Sequence, residues 1–282
     1  MSRRIGNRII HFSEINSTNS YLKSNHELLQ QHGLVVRTDM QTSGRGRASR
    51  KFVSLPGKNL TFSVVLHPQK PASEIQIYSL LASVVVARVL ENYVNSIRLK
   101  WPNDVIISQK KICGILLETI SIPEQHFPIL IMGIGLNTKG SYKDYPDELK
   151  KIVTTLEFEM LKNSNTKPDV KASLLNNDTI FNQILRELER CLEEFSDKKK
   201  ITGNKKKFDG RSALLNEWFD RARAKGRKVC SLYNTQSQAN SKGTIGIIEG
   251  LSGEGYLQIR TKTGEILTHV SGDIIDLSDC VT

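Results

Sequence analysis

Hydrophobic and polar positions along the chain predict several short strands around one long helix. Apolar runs at 34–36 and 60–66 flank a Gly/Arg/Ser-rich loop at 38–52, and each predicts a strand. Apolar residues between 77 and 94 recur with the spacing of an amphipathic helix packed on a sheet. Further runs at 105–108, 112–117 and 129–136 predict strands, and helical patterning resumes near Asp147 and from 180 to 195.

These elements predict an α+β fold with a mixed or antiparallel sheet and packed helices. The interval 105–117 is too short for a helical crossover between parallel strands. From residue 227 onward the pattern changes to short β runs at 229–233, 244–249, 255–260 and 266–270, punctuated by glycines. Such spacing predicts a small β-barrel of about fifty residues. We therefore expect a larger domain, big enough for a catalytic site, at 1–222 and a small second domain at 223–282. A basic linker or insertion is expected at about 197–211.

Charge is concentrated in one part of the chain. The 282 residues carry a formal net charge of +11, and the segment 197–228, with twelve basic and four acidic residues, contributes +8 of it. The lysine-rich stretch 198–207 is typical of a solvated linker, but recruitment of an acidic acceptor protein or contact with nucleic acid would use the same charge.

Composition narrows the class of protein. The chain is 38% hydrophobic and 24% charged, which is typical of a folded globular protein. The four cysteines are scattered, without a CxxC pair or a histidine at metal-ligand spacing, so neither a disulfide framework nor a zinc site is predicted. We expect a cytoplasmic protein, because no run approaches about 18 apolar residues and the first ten residues lack a signal-peptide core.

Three polar segments are candidates for chemistry. The arginine loop, residues 44–51, holds four cations beside two glycines, which suits an anionic ligand, although a solvated turn or an RNA-binding arm has the same composition. Lys-Trp-Pro-Asn-Asp at 100–104 precedes a predicted strand, and Lys111 opens the next one. Gly-Ile-Gly-Leu-Asn at 133–137 allows a ligand to lie against the backbone, but lacks the G-x-G-x-x-G nucleotide-binding spacing.

In combination and in this order, these segments resemble the biotin protein ligase family. The family's landmarks stand here as Ser17-Thr18-Asn19, Gln-Thr-Ser-Gly-Arg-Gly-Arg at 41–47, Lys-Trp-Pro-Asn-Asp at 100–104, Lys-Ile-Cys-Gly-Ile-Leu-Leu-Glu at 111–118 and Gly-Ile-Gly-Leu-Asn at 133–137. The resemblance covers 17–137 and implies a class II synthetase-like catalytic domain. The glycine-punctuated tail is similar to the family's SH3-like C-terminal domain.

The resemblance implies a two-step reaction. Biotin attacks the α-phosphorus of ATP to give biotinyl-5′-AMP and pyrophosphate, and a lysine of a biotin carboxyl carrier protein then attacks the mixed anhydride. Mg²⁺ would accompany the ATP phosphates. Since only sixteen residues precede Ser17, we expect no helix-turn-helix domain and no specific DNA binding. No membrane partner is expected, and a homodimer is left open.

The resemblance also implies roles for individual residues. Lys111 would contact the biotin carboxylate and the α-phosphate, Arg45, Arg47 and Arg50 would close over the intermediate, and Asp104 would orient or deprotonate the incoming lysine. The expected catalytic residues are Lys111, Arg45, Arg47 and Asp104. The expected biotin contacts are Ser17, Thr18, Asn19, Gln41, Gly44, Arg45, Arg47, Lys111, Gly114, Gly133 and Gly135. The expected ATP and adenylate contacts are Arg47, Arg50, Lys51, Phe52, Lys100, Trp101, Asn103, Lys111 and Asn137, with Asn137 and Asp104 as candidate magnesium contacts.

Two departures from the family pattern lie in and beside the arginine loop. Phe52 stands where many bacterial members have a tryptophan that covers adenine, and Ala48-Ser49 replaces a common Arg-Gly pair.

Two other functions compete with biotin attachment. Lipoate or octanoate ligases use the same acyl-adenylate chemistry, but the Gly-Arg-Gly-Arg and Lys-Trp-Pro-Asn-Asp motifs favour biotin. A nucleic-acid module would need aromatic residues interleaved with cations on exposed strands, whereas the tail offers only Tyr233 and Tyr256.

Overall fold

A computed structural model describes residues 4–123, 125–162, 175–196, 209–232 and 243–277. Its larger sheet has the strand order β1-β2-β3-β7-β6-β5-β4. Only β1 and β2 pair in parallel, so the predicted mixed sheet is confirmed. The strands are β1 (Ile9–Ile15), β2 (Val35–Gln41), β3 (Asn59–Leu66), β4 (Ile97–Lys100), β5 (Asp104–Ile107), β6 (Lys110–Ile120) and β7 (Ile129–Asn137).

A tight hairpin joins β5 to β6. Ser108 and Gln109 both adopt left-handed backbone conformations, with φ of 50° and 64°. Two such central residues make the kind of turn that matches the twist of antiparallel strands. The pairing sets Asp104 opposite Gly114, with an irregularity between Val105 and Ile106. The hairpin therefore brings the end of the Lys-Trp-Pro-Asn-Asp segment beside the start of β6.

The helices predicted from residue 77, near 147 and over 180–195 are confirmed, although the second is a single turn. The predicted linker at 197–211 lies mostly outside the described residues, but its last three residues begin a helix, where the Asp209 carboxylate accepts a hydrogen bond from the Arg211 amide. The helices are α1 (Thr18–Ser24), α2 (His26–Leu29), α3 (Ile77–Leu90), α4 (Asp147–Lys150), α5 (Leu156–Lys162), α6 (Asn177–Ser196) and α7 (Gly210–Ala222).

Helix α3 is buried on all sides, which corrects the amphipathic helix predicted for it. Of its fourteen residues, only Arg88 is not buried. One side packs on β4, β5 and β6, and α6 and α7 cover the other. The stretch Ala72–Leu90 is long and apolar enough to cross a membrane, whereas the sequence analysis expected no such run. However, 78% of its most apolar part is buried inside the protein. Its composition is thus explained by its place in the core.

The C-terminal strands form a second, antiparallel sheet in the order β11-β10-β9-β8-β12. The four predicted β runs are confirmed, except residue 233, which lies outside the described residues; a fifth strand at the end was not predicted. Among the described residues, β11 and β12 are edge strands that do not pair with each other, so the sheet is open and the predicted small β-barrel is not confirmed. The strands are β8 (Lys228–Leu232), β9 (Thr244–Leu251), β10 (Leu257–Thr261), β11 (Ile266–His269) and β12 (Asp273–Asp276).

One hydrophobic core joins the two sheets. Leu80 of α3 and Leu257 of β10 belong to the same cluster of buried side chains, and Gly255 packs directly on Leu80. The α7 helix ends at Arg223, whose φ of 48° is the left-handed conformation common at helix C-termini. The helix therefore ends at the predicted bound at 222. That this bound separates two domains stays a prediction.

Candidate functional site

A cavity of about 660 Å³ opens beside the ends of β6 and β7. Its walls come from the arginine loop, the start of α1, the segment 100–104 and the second sheet. Of the nineteen candidate residues, all except Gly44 line this cavity. Gly44 packs just behind the wall, because a Cβ there would lie 2.3 Å from the Phe52 carbonyl oxygen. The separated motifs therefore meet around one space of a size typical for a bound small molecule.

One end of the cavity carries uncharged polar groups. The Thr18 backbone amide donates to Gln41 Oε1 over 2.9 Å, and the buried Ser63 hydroxyl contacts both Thr18 Oγ1 and Asn19 Oδ1. The Ser17 hydroxyl caps α1 by accepting from the Ser20 amide over 3.4 Å. These donors and acceptors can recognise a neutral polar ligand without a compensating charge.

The backbone of β7 forms the floor beside this polar end. A Cβ on Gly133 would lie 2.5 Å from Asn19 Oδ1, and one on Gly135 would lie 2.6 Å from the Phe52 ring. Neither position can carry a side chain unless its neighbour moves. The prediction that these two glycines permit close approach to the backbone therefore has a steric basis, although in this structure Asn19 and Phe52 are what approach them.

Lys111 and Asp104 form an ion pair in the cavity. The Lys111 Nζ atom lies 2.6 Å from Asp104 Oδ1, and the lysine chain lies directly over Gly114, where a Cβ would be 2.8 Å from Nζ. The backbone of Lys111 bonds to Ile152 and Thr154, which fastens the segment after α4 to β6. Lys111 is therefore fixed at both its backbone and its ammonium end.

The arginine loop is a closed turn. The Phe52 amide donates to the Gly44 carbonyl over 2.9 Å, and the Gly46 amide donates to the Arg50 carbonyl over 2.7 Å. At its tip, Ala48 and Ser49 have φ values of 50° and 61°. Glycine is favoured in that conformation, and non-glycine residues in it cost of order 1 kcal/mol each. The departure from the family's Arg-Gly pair therefore places a strained pair at the tip of the loop.

Each arginine of the loop contacts a different wall. Arg45 bonds to Ser20 and Glu118, Arg47 donates to Asn103 Oδ1 over 3.5 Å, and Arg50 pairs with Asp273 of β12 over 2.7 Å. Burial lowers the pKa of Arg47, only partly opposed by Asp273 and Asp104. An arginine has so high an intrinsic pKa that it keeps its charge in such a site.

Two predicted nucleotide contacts are held by the protein itself. Asn137 accepts from Asn59 Nδ2 over 2.9 Å and donates to the Thr154 carbonyl over 3.1 Å. Trp101 is buried and its indole N–H donates to the Gly255 carbonyl over 3.1 Å. Both residues line the cavity. However, the side chain of Asn137 already bonds to the segment after β7, and that of Trp101 already bonds to the turn before β10.

Sequence reasoning missed two parts of the wall. The segment 145–153 contributes Tyr145, Glu148, Leu149, Ile152 and Val153, and β12 contributes Asp273, Ile274 and Ile275. Neither segment contains a motif, because its residues are ordinary helix and strand types. Burial raises the pKa of Tyr145 to about 12 and that of Cys113 to about 12, so neither is an ionised nucleophile at neutral pH.

Comparison with known proteins shows which proteins this fold and cavity resemble. Residues 12–137, a little under half of the chain, match the model of the biotin/lipoate A/B protein ligase family. The chain is similar to biotin protein ligases over nearly its whole length. It is 25% identical over 280 residues, or 96% of its length, to human "Biotin--protein ligase".

Two further proteins are similar to the chain. The chain is 37% identical over 156 residues to the Bacillus subtilis "Bifunctional ligase/repressor BirA", a match that spans 54% of this chain and 47% of that protein. The chain thus matches about half of that relative's length and, at 34%, less of the human protein. The Aquifex aeolicus biotin protein ligase, solved with biotin and ATP, superposes with a TM-score of 0.71 at 26% identity, covering 95% of this chain and 97% of that one.

Proposed function

We propose that this protein activates biotin with ATP to biotinyl-5′-AMP and transfers the biotin to a lysine of an acceptor protein. The observation that carries the proposal is the shared cavity, in which Lys111 and the arginine loop face a polar, uncharged end. Adenylation needs cations where negative charge gathers and neutral polar groups where a ureido ring would bind. The relative from Aquifex aeolicus, solved with biotin and ATP, supports both ligands.

In this proposal the ammonium of Lys111 stabilises negative charge on the biotin carboxylate and the α-phosphate. A preorganised cation in a site with little water contributes far more than one in solution. Because Asp104 lies 2.6 Å away, the lysine is already aimed before ligands enter. Arg47, which is partly buried, would add charge from the loop, and the closed loop would delay escape or hydrolysis of the adenylate.

Asp104 has a second proposed role in the transfer step. An acceptor lysine is protonated at neutral pH and must lose its proton before it attacks the mixed anhydride. Asp104 is a partly exposed carboxylate at the cavity wall, so it can orient or deprotonate an incoming amine. The acceptor we propose is a biotin carboxyl carrier protein or domain.

Magnesium enters the proposal with the ATP phosphates, whose charge it would neutralise. Of its two candidate protein contacts, Asn137 fits poorly, because its side-chain oxygen already accepts from Asn59. Asp104 fits better through the carboxylate oxygen that does not face Lys111. Among the described residues there is no group of three or more His, Cys, Asp or Glu side chains that could hold a metal ion.

We further propose that the second sheet is the family's SH3-like C-terminal domain. Five short antiparallel strands with glycine-containing turns support this, as does the likeness to the Aquifex aeolicus ligase over nearly the full chain. Its edge strand β12 would supply one wall of the active site. A cytoplasmic location, a homodimer and the roles of the lysine-rich stretch stay predictions.

The experiment that tests the function is incubation of the protein with ATP, Mg²⁺ and biotin, lipoate or octanoate in parallel, followed by mass measurement of the adenylate. We expect biotinyl-AMP alone, and then a mass increase on a carrier domain. The matching family model also covers lipoate ligases, so lipoyl-AMP as the main product would replace the proposed substrate while keeping the chemistry. No adenylate with any of the acids would contradict the proposed function.

A further inference from the structure

Glu118 is a carboxylate behind the cavity that the proposed chemistry does not use. It lies on β6, seven residues after Lys111, and its side chain is only 14% exposed. Three side chains bond to it: Asn19 over 2.9 Å, Lys23 over 3.0 Å and Arg45 over 2.5 Å. A largely buried carboxylate that bonds to two cations and an amide needs a structural explanation.

The Arg45 contact ties Glu118 to the arginine loop. One terminal nitrogen of Arg45 donates to Glu118, and the other donates to the Ser20 hydroxyl of α1 over 3.1 Å. Both ends of the guanidinium fork are therefore held by the wall. Because Gly44 and Phe52 close the loop with a backbone hydrogen bond, fixing Arg45 fixes the base of the loop.

The Asn19 contact ties the same carboxylate to the polar end of the cavity. The Asn19 amide nitrogen donates to Glu118 Oε2, while its oxygen accepts from the buried Ser63 hydroxyl over 2.5 Å. A carboxylate can only accept, so it sets which way round the amide lies. The Asn19 oxygen is also the group that packs against Gly133 on the cavity floor.

The carboxylate is held in its charged form. Burial would raise the pKa of Glu118, but hydrogen bonds from Asn19, Lys23 and Arg45 outweigh burial and lower it. Charge-assisted hydrogen bonds of this kind are about twice as strong as neutral ones.

We propose that Glu118 is a positioning residue: it anchors Arg45 at the base of the arginine loop and orients Asn19 at the polar end, so that both are in place before ligands bind. The role in catalysis rests on the function proposed above. The anchoring itself is a property of the ligand-free protein.

Two measurements on the full chain, both made with the Glu118→Gln variant, test the anchoring and the role in catalysis separately. Glutamine keeps the size and an acceptor for Asn19 but removes the charge that holds Arg45. Glu74→Gln is the matched control, since Glu74 also faces two cations, Arg211 at 2.5 Å and Lys70 at 3.5 Å, but neither of them lines the cavity, whereas Asn19 and Arg45 do.

The first measurement is hydrogen exchange of the amides in 44–51 without ligands. We expect Glu118→Gln to speed exchange there about fivefold or more and Glu74→Gln to leave it unchanged. Equal exchange in Glu118→Gln and the unmodified protein would overturn the anchoring. Because no substrate is involved, this result stands even if the protein makes no adenylate.

The second measurement is the release of preformed biotinyl-AMP and the KM for biotin. We expect Glu118→Gln to release the adenylate about tenfold faster, the loss that corresponds to one charge-assisted hydrogen bond, and to raise the KM for biotin more than it lowers kcat. Faster loop exchange without any change in release or KM would overturn the positioning role. If the unmodified protein makes no biotinyl-AMP, the proposed function is wrong. The hydrogen-exchange result then still tests whether Glu118 anchors Arg45.

Discussion

The Lys111 ammonium lies 2.6 Å from the Asp104 carboxylate, across the hairpin that joins β5 to β6. The contact depends on local backbone geometry. The left-handed pair at the turn sets the register of the hairpin, and Gly114 leaves the space in which the lysine chain lies. Two charged side chains from different motifs thus arrive at one point of the cavity because of a two-residue turn.

Replacing Lys111 by methionine should lower the rate of biotinyl-AMP formation by about 10²-fold or more, because a preorganised charge at the reacting oxygens is lost. Methionine keeps most of the chain that lies over Gly114, so folding should be preserved. Lys110→Met is the matched control, since Lys110 packs over the Tyr142 ring at 4.3 Å and is not part of the cavity wall. Single-turnover formation of the adenylate is the measurement, and an unchanged rate in Lys111→Met would show that this lysine is not central.

Asp104→Asn should separate the two steps. Transfer to the acceptor should fall by about 10²-fold, because the carboxylate that orients or deprotonates the incoming amine is gone, whereas adenylate formation should fall much less. The measurement is transfer from preformed biotinyl-AMP, followed as a function of pH, beside the rate of adenylate formation. Equal losses in both steps would instead indicate that Asp104 acts only by aiming Lys111.

Gly135→Ala should weaken biotin binding by about tenfold or more. The new Cβ would lie 2.6 Å from the Phe52 ring, so this ring, which lines the cavity, would have to move. Gly253→Ala is the control, because nothing lies within 4 Å of a Cβ there and Gly253 does not adopt a positive φ. Calorimetry should show weaker biotin binding by Gly135→Ala than by Gly253→Ala, and the thermal stability of Gly253→Ala should be unchanged. Normal biotin binding by Gly135→Ala would show that biotin binding does not require a glycine at this position.

Five strands of the larger sheet, β2, β3, β5, β6 and β7, could be predicted from the sequence because each combines an apolar run with a turn signal. β3 and β7, for example, are apolar runs that lie next to each other in the centre of the sheet. β1 was missed because its mixed polarity, with alternating exposure, resembles a loop. β12 was missed for a similar reason, since it is only four residues long and flanked by acidic side chains.

The motif residues of the site could be predicted, but their partners could not. Arg45 and Arg50 stand out as cations beside glycines, whereas nothing in the sequence pairs them with Glu118 and Asp273, which lie more than seventy positions away. Contacts over such separations depend on the strand order. The sequence also could not show that α6 and α7 would cover α3, which turned an expected amphipathic helix into a buried one.

Stability in acid should depend on Glu187, which holds α6 against α3. Burial would raise the pKa of Glu187, but hydrogen bonds from Arg190 and Arg88 outweigh it and lower the pKa to about 2. Since this pKa lies below the value of 4.5 for a free glutamate, the folded state binds the proton less tightly than the unfolded one. The stability that the carboxylate contributes is therefore present above about pH 5 and is lost as the pH falls towards 2.

Glu187→Gln should accordingly lower the free energy of unfolding by about 1–2 kcal/mol at pH 7, the range expected for partly exposed hydrogen bonds to a charged group. The difference from the unmodified protein should shrink towards zero near pH 2. Glu194→Gln is the control, because Glu194 pairs with the same Arg190 but is 45% exposed and should contribute much less. Urea unfolding from pH 7 to pH 2 measures both variants. A Glu187→Gln deficit that stays constant over this range would mean that packing, rather than the ionised carboxylate, stabilises the contact between α3 and α6.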